Sequence, residues 1–369
     1  MIPDYAYQWV WYVFLTILCI YHCRYLSLLP SFDALQNRRS NGVNNATWLL
    51  LVVTIFFGLR PISTVFADMV GYASSYEYGV YEVGEVRNEP VWQTIMYICH
   101  EWFGLPTSLW FLVVAAVAFG FKFAACKKLL GNQIYTVFLF LLTSFSFWSN
   151  GVTIIRSNVG MAFALYGIAQ FLEGAKKNKI LAILFFIIAF YSHTSTALLI
   201  GCFFLSRFFI KNVKWSIFIY VACIAGSLVL GSHFETLFAS LGFDDRMSSF
   251  TTDVDYTGFS HAGFRWDFLA YSIVPILLGW YIVGIKKIKD KVYSILLNTY
   301  IISNAFWVLV IRAQFSDRFA SISWTLYFLV LAYPLLKILI WNRQPKKVVW
   351  GLWFQMGFLW FMQIYYALR

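Results

Sequence analysis

The chain has 369 residues, of which 60% are hydrophobic and only 12% are charged, and its formal net charge is +11. Together with 38 Phe, 23 Tyr and 16 Trp, this composition excludes an ordinary soluble domain. We interpret the basic charge as a sign of membrane orientation and not of nucleic-acid binding.

Long apolar runs alternate with short polar connections along the chain. A helix needs about 20 apolar residues to cross a hydrocarbon core of about 30 Å. The predicted spans are residues 6–23, 45–59, 105–125, 133–149, 154–173, 180–192, 195–210, 215–232, 265–284, 292–311, 319–336 and 348–366. We therefore predict an all-α integral membrane protein with about 12 transmembrane helices, forming a single polytopic domain over residues 1–369.

The two sides of the predicted membrane differ in their cations. Threading the spans places every lysine at one face, whereas the other face keeps only arginines. The positive-inside rule makes the lysine face cytoplasmic. Both termini, and two long loops at about 60–104 and 233–264, are then predicted on the outer side. The first apolar run lacks the features of a cleaved signal peptide, so we expect it to be retained.

The six cysteines fall mostly inside the predicted spans. A structural disulfide is therefore not expected, and no pair of cysteines has the spacing of a metal-binding motif. The sequence predicts neither a metal site nor a cofactor.

The first outer loop combines aromatic and polar residues. Residues 91–103 place apolar side chains on one helical face, which predicts a helix lying in the membrane interface. Arg60, Asp68 and Tyr72 precede that helix and gather just outside the second span. Because Arg60 follows an apolar helix, the alternative to substrate binding is an arginine that reaches the lipid headgroups.

The fifth span opens with Arg156, Ser157 and Asn158. Free N–H groups at a helix N-terminus favour an anion, and a guanidinium binds phosphate oxygens in a fork. The positive end of the helix disfavours a cation unless an anion is also present. Arg156 and Asn158 therefore predict an anion-binding site on the outer side.

Further candidates follow in later connections. His193 and Ser195 form a polar patch between two short apolar runs, which predicts a site at a broken helix, although a lone histidine is often only a hydrogen-bonding residue. Arg265 opens the ninth span, and Asp317 with Arg318 precedes the eleventh. Asp317 and Arg318 have a plainer interpretation as a surface ion pair.

Several arginines thus collect on the outer side, with carboxylates and one histidine. Guanidinium stays charged at physiological pH and binds diphosphate through two hydrogen bonds, which explains arginine in place of lysine. The substrate implied is an amphipathic lipid with an anionic headgroup.

The order Arg60, Asp68, Tyr72, then Arg156, then His193-Thr194-Ser195, then Arg318 before an aromatic-rich helix resembles the EpsG family of polysaccharide polymerases, related in role to the Wzy O-antigen polymerases. The resemblance covers roughly residues 50–330. It implies an inverting, metal-independent glycosyltransferase of the bacterial inner membrane. Such an enzyme moves a glycan from undecaprenyl diphosphate to a hydroxyl of a second lipid-linked repeat unit. Its expected partners are these lipid-linked glycans and the bilayer, and a chain-length regulator stays open.

The resemblance also suggests roles for the candidates. Arg156, Arg265 and Arg318 would hold the diphosphate, with Arg60 assisting. Asp68 would be the general base, because its position after the second span is similar to that in membrane glycosyltransferases with a GT-C-like bundle; His193 is the rival for that role. Tyr72 would stack on sugar rings, and Asn158, Ser195 and Asp317 would give polar support.

Other functions remain as alternatives. A lipid-linked oligosaccharide flippase would have a similar number of spans, but it is expected to have deeper charges and two related halves. A membrane acyltransferase would need a histidine reached from the cytoplasmic side. A ligase that moves finished polymer shares the donor chemistry of a polymerase.

Overall fold

The protein was described from a computed structural model covering residues 2–36, 41–79, 89–231, 233–234, 263–313 and 316–368. Throughout these residues the regular structure is helical, with no β-strand, which confirms the all-α prediction. Most of the predicted outer loop at 233–264, and residues 80–88 of the first outer loop, lie outside the described residues.

The α-helices follow one another through short connections. They are α1 (Tyr7–Ser27), α2 (Phe32–Gln36), α3 (Asn41–Gly58), α4 (Met69–Glu77), α5 (Pro90–Tyr97), α6 (Thr107–Leu130), α7 (Ile134–Leu142), α8 (Ser146–Val152), α9 (Ile155–Glu173), α10 (Lys176–Ser192), α11 (Thr196–Phe204), α12 (Val213–Leu230), α13 (Trp266–Gly279), α14 (Lys291–Leu309), α15 (Ser316–Trp324), α16 (Tyr327–Lys337) and α17 (Gln344–Ala367). They form two compact units, Met1–Ala197 with Leu331–Arg369, and Leu198–Val330.

Six helical segments within the described residues are long and apolar enough to cross a bilayer. They are Asp4–Ser27, Thr107–Leu142, Val213–Leu230, Trp266–Ile285, Lys291–Leu309 and Ser316–Lys337. Helices α8 and α9 pass the same test together, although they are bent by 115°. The chain is therefore a multi-pass membrane protein.

Two of the predicted spans follow each other closely in the structure. The runs at 105–125 and 133–149 contain α6 and α7, which together with the turn between them make a helical segment of 36 residues, Thr107–Leu142. Helix α6 ends before Gly131, whose φ of 53° is outside the helical region, and the short 3₁₀ turn Gly131–Gln133 leads into α7.

Residue types at the helix ends explain where several helices begin and stop. Asp290 accepts a hydrogen bond of 2.7 Å from the backbone N–H of Tyr293 and caps α14. Helix α5 starts with Pro90, whose fixed φ suits a first helical position. Helix α9 stops at Gly174, which is left-handed with φ of 90°.

The first unit is built around tightly packed helices. Gly58 on α3 faces α6 so closely that an added Cβ would lie 2.6 Å from the Cα of Leu112. Gly160 and Gly167 on α9 make similar approaches to α10, where a Cβ at Gly167 would lie 2.7 Å from the Phe186 ring. Small residues at these positions let helices pack closely, as is common in membrane proteins.

Lys122 lies inside the predicted span 105–125, although threading counts it with the lysines of one face. In the structure it lies within α6, is 2% exposed, and its ammonium donates a hydrogen bond to the side-chain oxygen of Asn158 on α9. A buried polar acceptor therefore stabilises this lysine within the helix.

The close approach of α3 and α6 can be tested with glycine substitutions. We expect Gly58→Ala to lower the free energy of unfolding by about 1–3 kcal/mol, because the new methyl group meets backbone atoms that cannot move aside. Gly120→Ala on α6 is the matched control, since a Cβ there meets nothing within 4 Å. Thermal unfolding of both purified variants measures the effect, and equal stability of the two would contradict this packing.

Candidate functional site

A break between α8 and α9 is the local feature on which the site is built. The two helices meet at Thr153–Ile154 with a bend of 115°. Ile154 is not helical, with φ of −98° and ψ of 46°, and its carbonyl accepts a hydrogen bond of 2.9 Å from the backbone N–H of Asn158. The end of α8 and the start of α9 therefore both require polar partners.

Arg60 supplies the partner for the end of α8. Its guanidinium donates to the carbonyl of Phe57 in the last turn of α3 and, at 3.2 Å, to the carbonyl of Val152 at the end of α8. It also lies 5.3 Å from the ring centre of Phe111. The side chain is 3% exposed, so it does not reach out to lipid headgroups.

The Arg60 cation is stabilised by the negative ends of two helices instead of by a carboxylate. Burial lowers the pKa of Arg60 to about 10, so the guanidinium remains charged at neutral pH. Its Nε has no hydrogen-bond partner among the described atoms. Arg60 therefore fixes the geometry of the break through two hydrogen bonds to backbone carbonyls.

Glu89 pairs with a side chain at the start of α9 and with one that follows α10. Its carboxylate lies 3.0 Å from Nε of Arg156 and 2.5 Å from Nδ1 of His193. The side chain of Glu89 is 2% exposed, that of His193 9% and that of Arg156 21%. One buried carboxylate thus joins the arginine that opens α9 to the histidine that follows α10.

This arrangement determines what the histidine can do. An ionised Glu89 accepts the Nδ1 proton of His193, which makes Nε2 the ring nitrogen that can accept a proton. A histidine oriented in this way by a carboxylate is suited to accept a proton from a hydroxyl group. Arg156 contacts Glu89 through Nε at 3.0 Å and is partly exposed, at 21%.

Backbone and packing contacts hold His193 in position. Its N–H donates to the carbonyl of Ala189 at 3.0 Å, and its carbonyl accepts from the Thr196 hydroxyl at 2.8 Å. Gly160 of α9 packs against it, since a Cβ at that position would lie 3.2 Å from the His193 Cβ and 2.8 Å from the Thr196 methyl. The histidine therefore sits in a close seam between α9 and the end of α10.

Asn158 lies next to this cluster on α9, and its side-chain oxygen accepts the hydrogen bond from the buried Lys122. A small cavity of about 10 Å³ separates Asn158 from Arg60 and is lined also by Gly151 and Ile155. A cavity of this size is close to the minimum for one water molecule. Asn158 therefore connects the start of α9 to a buried lysine as well as to the region of Arg60.

The remaining first-unit candidates lie on the neighbouring loops. Asp68 precedes α4 and is half-buried, and Tyr72 packs edge-on against Trp92 with ring centres 5.7 Å apart. Ser195 lies in the turn after His193 and is half-buried. The predicted helix at 91–103 forms as α5 followed by a π-helical turn, Ile98–Trp102.

The second unit holds its own group of charges. Arg265 makes two hydrogen bonds of 2.7 and 2.9 Å to the Asp267 carboxylate, with its guanidinium carbon 3.5 Å from the Phe268 ring centre. Arg265 and Arg318 both interact electrostatically with Asp317. Asp317 is half-buried, so it is not part of an exposed surface ion pair.

An apolar groove of about 310 Å³ borders the Glu89 cluster. It is lined by Pro90, Val91, Thr94, Ile95 and Tyr191. The groove begins one residue after Glu89 and includes a residue two positions before His193. The described part of the chain has no group of three or more His, Cys, Asp or Glu side chains arranged as metal ligands.

Glu89 is the functional candidate that the sequence analysis missed. It lies in the connection predicted as the first outer loop, directly before Pro90, where α5 begins. A carboxylate at a helix start has a ready structural explanation in the helix dipole, so pattern alone gave it no priority. Its two partners lie 67 and 104 positions away by the numbering, and only the tertiary fold brings them together.

Comparison with protein families identifies the family of the chain. The model described as EpsG family matches residues 45–368, nearly the whole chain. This chain belongs to the EpsG family. No curated protein and no solved structure matches it. EpsG is a Wzy-like, polymerase-associated family, and membership supports a polysaccharide polymerase-like role in general. The matched region contains Arg60, Glu89, Arg156 and His193 of this EpsG family member.

The coupling between Glu89 and Arg156 can be measured with a double-mutant cycle. We expect Glu89→Ala to lower the free energy of unfolding by about 2–3 kcal/mol, since it leaves a partly buried cation without its anion. The double variant Glu89→Ala/Arg156→Ala should be more stable than additivity predicts, by about 1–3 kcal/mol.

The control for this cycle is Glu101, a second glutamate of the connection between α3 and α6 that also contacts a histidine. Glu101 lies 2.9 Å from His100, but these side chains are 46% and 33% exposed. Glu101→Ala should therefore cost under about 1 kcal/mol. Strict additivity of the Glu89 and Arg156 effects in thermal unfolding would argue against a coupled pair.

Proposed function

We propose that this EpsG family member is a polysaccharide polymerase, an inverting glycosyltransferase that elongates a glycan on a lipid diphosphate. The observation that carries this proposal is the buried Glu89 carboxylate between Arg156 and His193. That arrangement combines a cation for a phosphate leaving group with an oriented base. The undecaprenyl carrier is the donor lipid that the family resemblance implies.

In the proposed reaction, a hydroxyl of the acceptor repeat unit attacks the anomeric carbon of the donor sugar. The bond between that carbon and the diphosphate oxygen breaks, and the diphosphate leaves with the electron pair. The hydroxyl proton goes to Nε2 of His193. A single displacement inverts the anomeric configuration, and the reaction needs no oxidant or other co-reactant.

Arginines would stabilise the negative charge on the departing diphosphate. Arg156 is 21% exposed beside Glu89, and guanidinium pairs with phosphate oxygens bidentately. In the second unit Arg265 and Arg318 are the further candidates for this role. Preorganised charge of this kind contributes a large share of catalysis in many enzymes.

We propose His193 as the base in place of Asp68. Glu89 orients His193, and the same carboxylate pairs with Arg156. Asp68 and Tyr72 would instead contact the acceptor sugar, with Asn158 and Ser195 as polar support near the base. Asp317 would position Arg318. Arg60 would support the site by fixing the α8–α9 break.

The apolar groove beside Glu89 would receive the first isoprenoid units of the donor lipid. Pro90, Ile95 and Tyr191 line a surface that begins where the charged cluster ends. An amphipathic lipid needs this succession of apolar and cationic surfaces. Lipid-linked glycans and the bilayer are thus the partners that we propose, with a chain-length regulator as an optional third.

The same proposal includes the finer topology. About twelve crossings in a GT-C-like bundle, with both termini on the outer side of the bacterial inner membrane, would place His193 and Arg156 on the side where lipid-linked repeat units are joined. The bent pair α8–α9 and the shorter apolar segments Gly42–Gly58 and Thr196–Phe209 are candidates for the additional crossings.

Arg156 provides the first test of this function. In a deletion strain, we expect the wild-type gene to restore long glycan chains and Arg156→Ala to leave single repeat units on the outer side. Removing one stabiliser of transition-state charge typically lowers the rate by about 100-fold or more. Glycan length on gels and mass spectrometry of lipid-linked intermediates measure the outcome.

Lys177→Ala, an exposed lysine of α10, is the control for loss of one charge, with protein abundance in membranes compared for all variants. Repeat units trapped on the cytoplasmic side would instead identify a flippase. Normal chain length with Arg156→Ala would remove this arginine from the mechanism.

His193→Gln and Asp68→Asn separate the two candidate bases, because each keeps polar shape and removes basicity. We expect His193→Gln to reduce chain elongation by about 100-fold or more, with Asp68→Asn much less affected. In-vitro elongation of purified lipid-linked repeat units over a pH series measures both. The reverse order of effects would restore Asp68 as the base.

A further inference from the structure

A second cationic cavity lies in the second unit, away from the proposed reaction residues of that unit. It has a volume of about 290 Å³. Three cations line it, Arg207, Lys211 and Lys291, together with the polar side chains of Ser206, Ser294 and Asn298. None of these lining residues is acidic.

Hydrogen bonds hold the walls of this cavity in place. Asn298 is 1% exposed; its amide donates to the carbonyl of Ile210 at 3.1 Å, and its oxygen accepts from the Ser216 hydroxyl at 2.9 Å. These bonds join α14 to α12 and to the connection that carries Lys211. The cations therefore surround a fixed depression and do not merely extend from a flat surface.

The nearest carboxylate in sequence already has a structural role. Asp290 precedes Lys291, and its side chain caps α14 by accepting the Tyr293 N–H at 2.7 Å. The Ser294 hydroxyl donates to the Asp290 carbonyl at 2.7 Å. The cavity thus opens beside the N-terminal end of α14, where the helix dipole adds to the positive charge.

The cavity is distinct from the charged group around Asp317. Lys291 begins α14 and Leu309 ends it, so the helix separates its two ends by about 28 Å. Arg312, Asp317 and Arg318 follow the far end. A ligand in the cavity would therefore not contact Arg312 or Arg318.

Apolar side chains adjoin the cations. Phe208 and Phe209 directly follow Arg207 and are 49% and 78% exposed, and Trp215 is 62% exposed. A basic pocket between helices with apolar flanks is the arrangement that binds phosphorylated lipid headgroups.

From this arrangement we infer that the cavity is a binding site for a phosphate-bearing anion, separate from the polymerase site. The shared chemistry is a phosphate group held by Arg207, Lys211 and Lys291. The phosphate source is either an acidic phospholipid of the surrounding leaflet or a soluble phosphate compound. The cavity has about the volume that ten water molecules occupy in liquid water, which is enough for a phosphate and part of its attached group.

The test uses the purified full chain and two probes. Short-chain phosphatidylglycerol represents the lipid and inorganic phosphate the soluble source, each titrated while the thermal unfolding temperature is followed. Each cation near a membrane surface contributes about 1 kcal/mol to binding an acidic lipid, or about fivefold. Arg207→Gln/Lys291→Gln should therefore weaken binding of the effective probe by roughly 25-fold.

The control is Lys286→Gln/Lys289→Gln, which removes the same charge from exposed lysines outside the cavity. It should bind as the wild type does. Stabilisation by phosphatidylglycerol alone identifies a lipid site, and stabilisation by phosphate identifies a soluble ligand. Equal weakening in both double variants, or no stabilisation of the wild type by either probe, overturns the inference.

A single variant, Lys211→Gln, keeps the test decisive if the double variant fails to fold. Lys211 is exposed, and its replacement should weaken binding about fivefold. Unchanged binding in Lys211→Gln, with the wild type stabilised, would also count against the site.

Discussion

A helix that breaks inside a membrane protein must satisfy its open backbone groups within the protein, because lipid offers no hydrogen bonds. Two charged residues of the connection between α3 and α6 lie at the break at Thr153–Ile154. Arg60 donates to the carbonyl at the end of α8, and Glu89 pairs with the arginine that opens α9. The loop and the break therefore depend on each other, and the candidate site lies where they meet.

Arg60 and Arg156 are neutralised by different means, and this difference separates their roles. Carbonyls and aromatic rings surround Arg60, which leaves it with little exposed surface. Arg156 has a carboxylate on one side and retains 21% exposure. A fully enclosed cation suits a structural function, whereas a partly exposed one suits a ligand.

Hydropathy and charge were sufficient to predict the all-helical, multi-pass character of the chain, because the apolar runs and their polar ends are local features. The start of a helix near residue 154 was likewise visible in the sequence. The environment of Lys122 was not, since its acceptor, Asn158, belongs to another helix. Glu89 escaped notice for the same reason: burial and pairing at such separations come from tertiary packing, which a single sequence does not display. The sequence predicts an anion beside Arg156, and in the structure the Glu89 carboxylate lies there.

The contacts at the site also constrain the order of events during biosynthesis. Arg60 meets the carbonyl of a residue 92 positions later, and Glu89 meets a histidine 104 positions later. At ribosomal rates of about 5–20 residues per second, the Glu89 carboxylate waits about 5–20 s for His193 to be synthesised. Until His193 has been synthesised, Glu89 in this loop lacks one of its two final partners. Membrane insertion of the first helices must therefore proceed with this loop still hydrated, and the loop can dock only after α10 has been delivered.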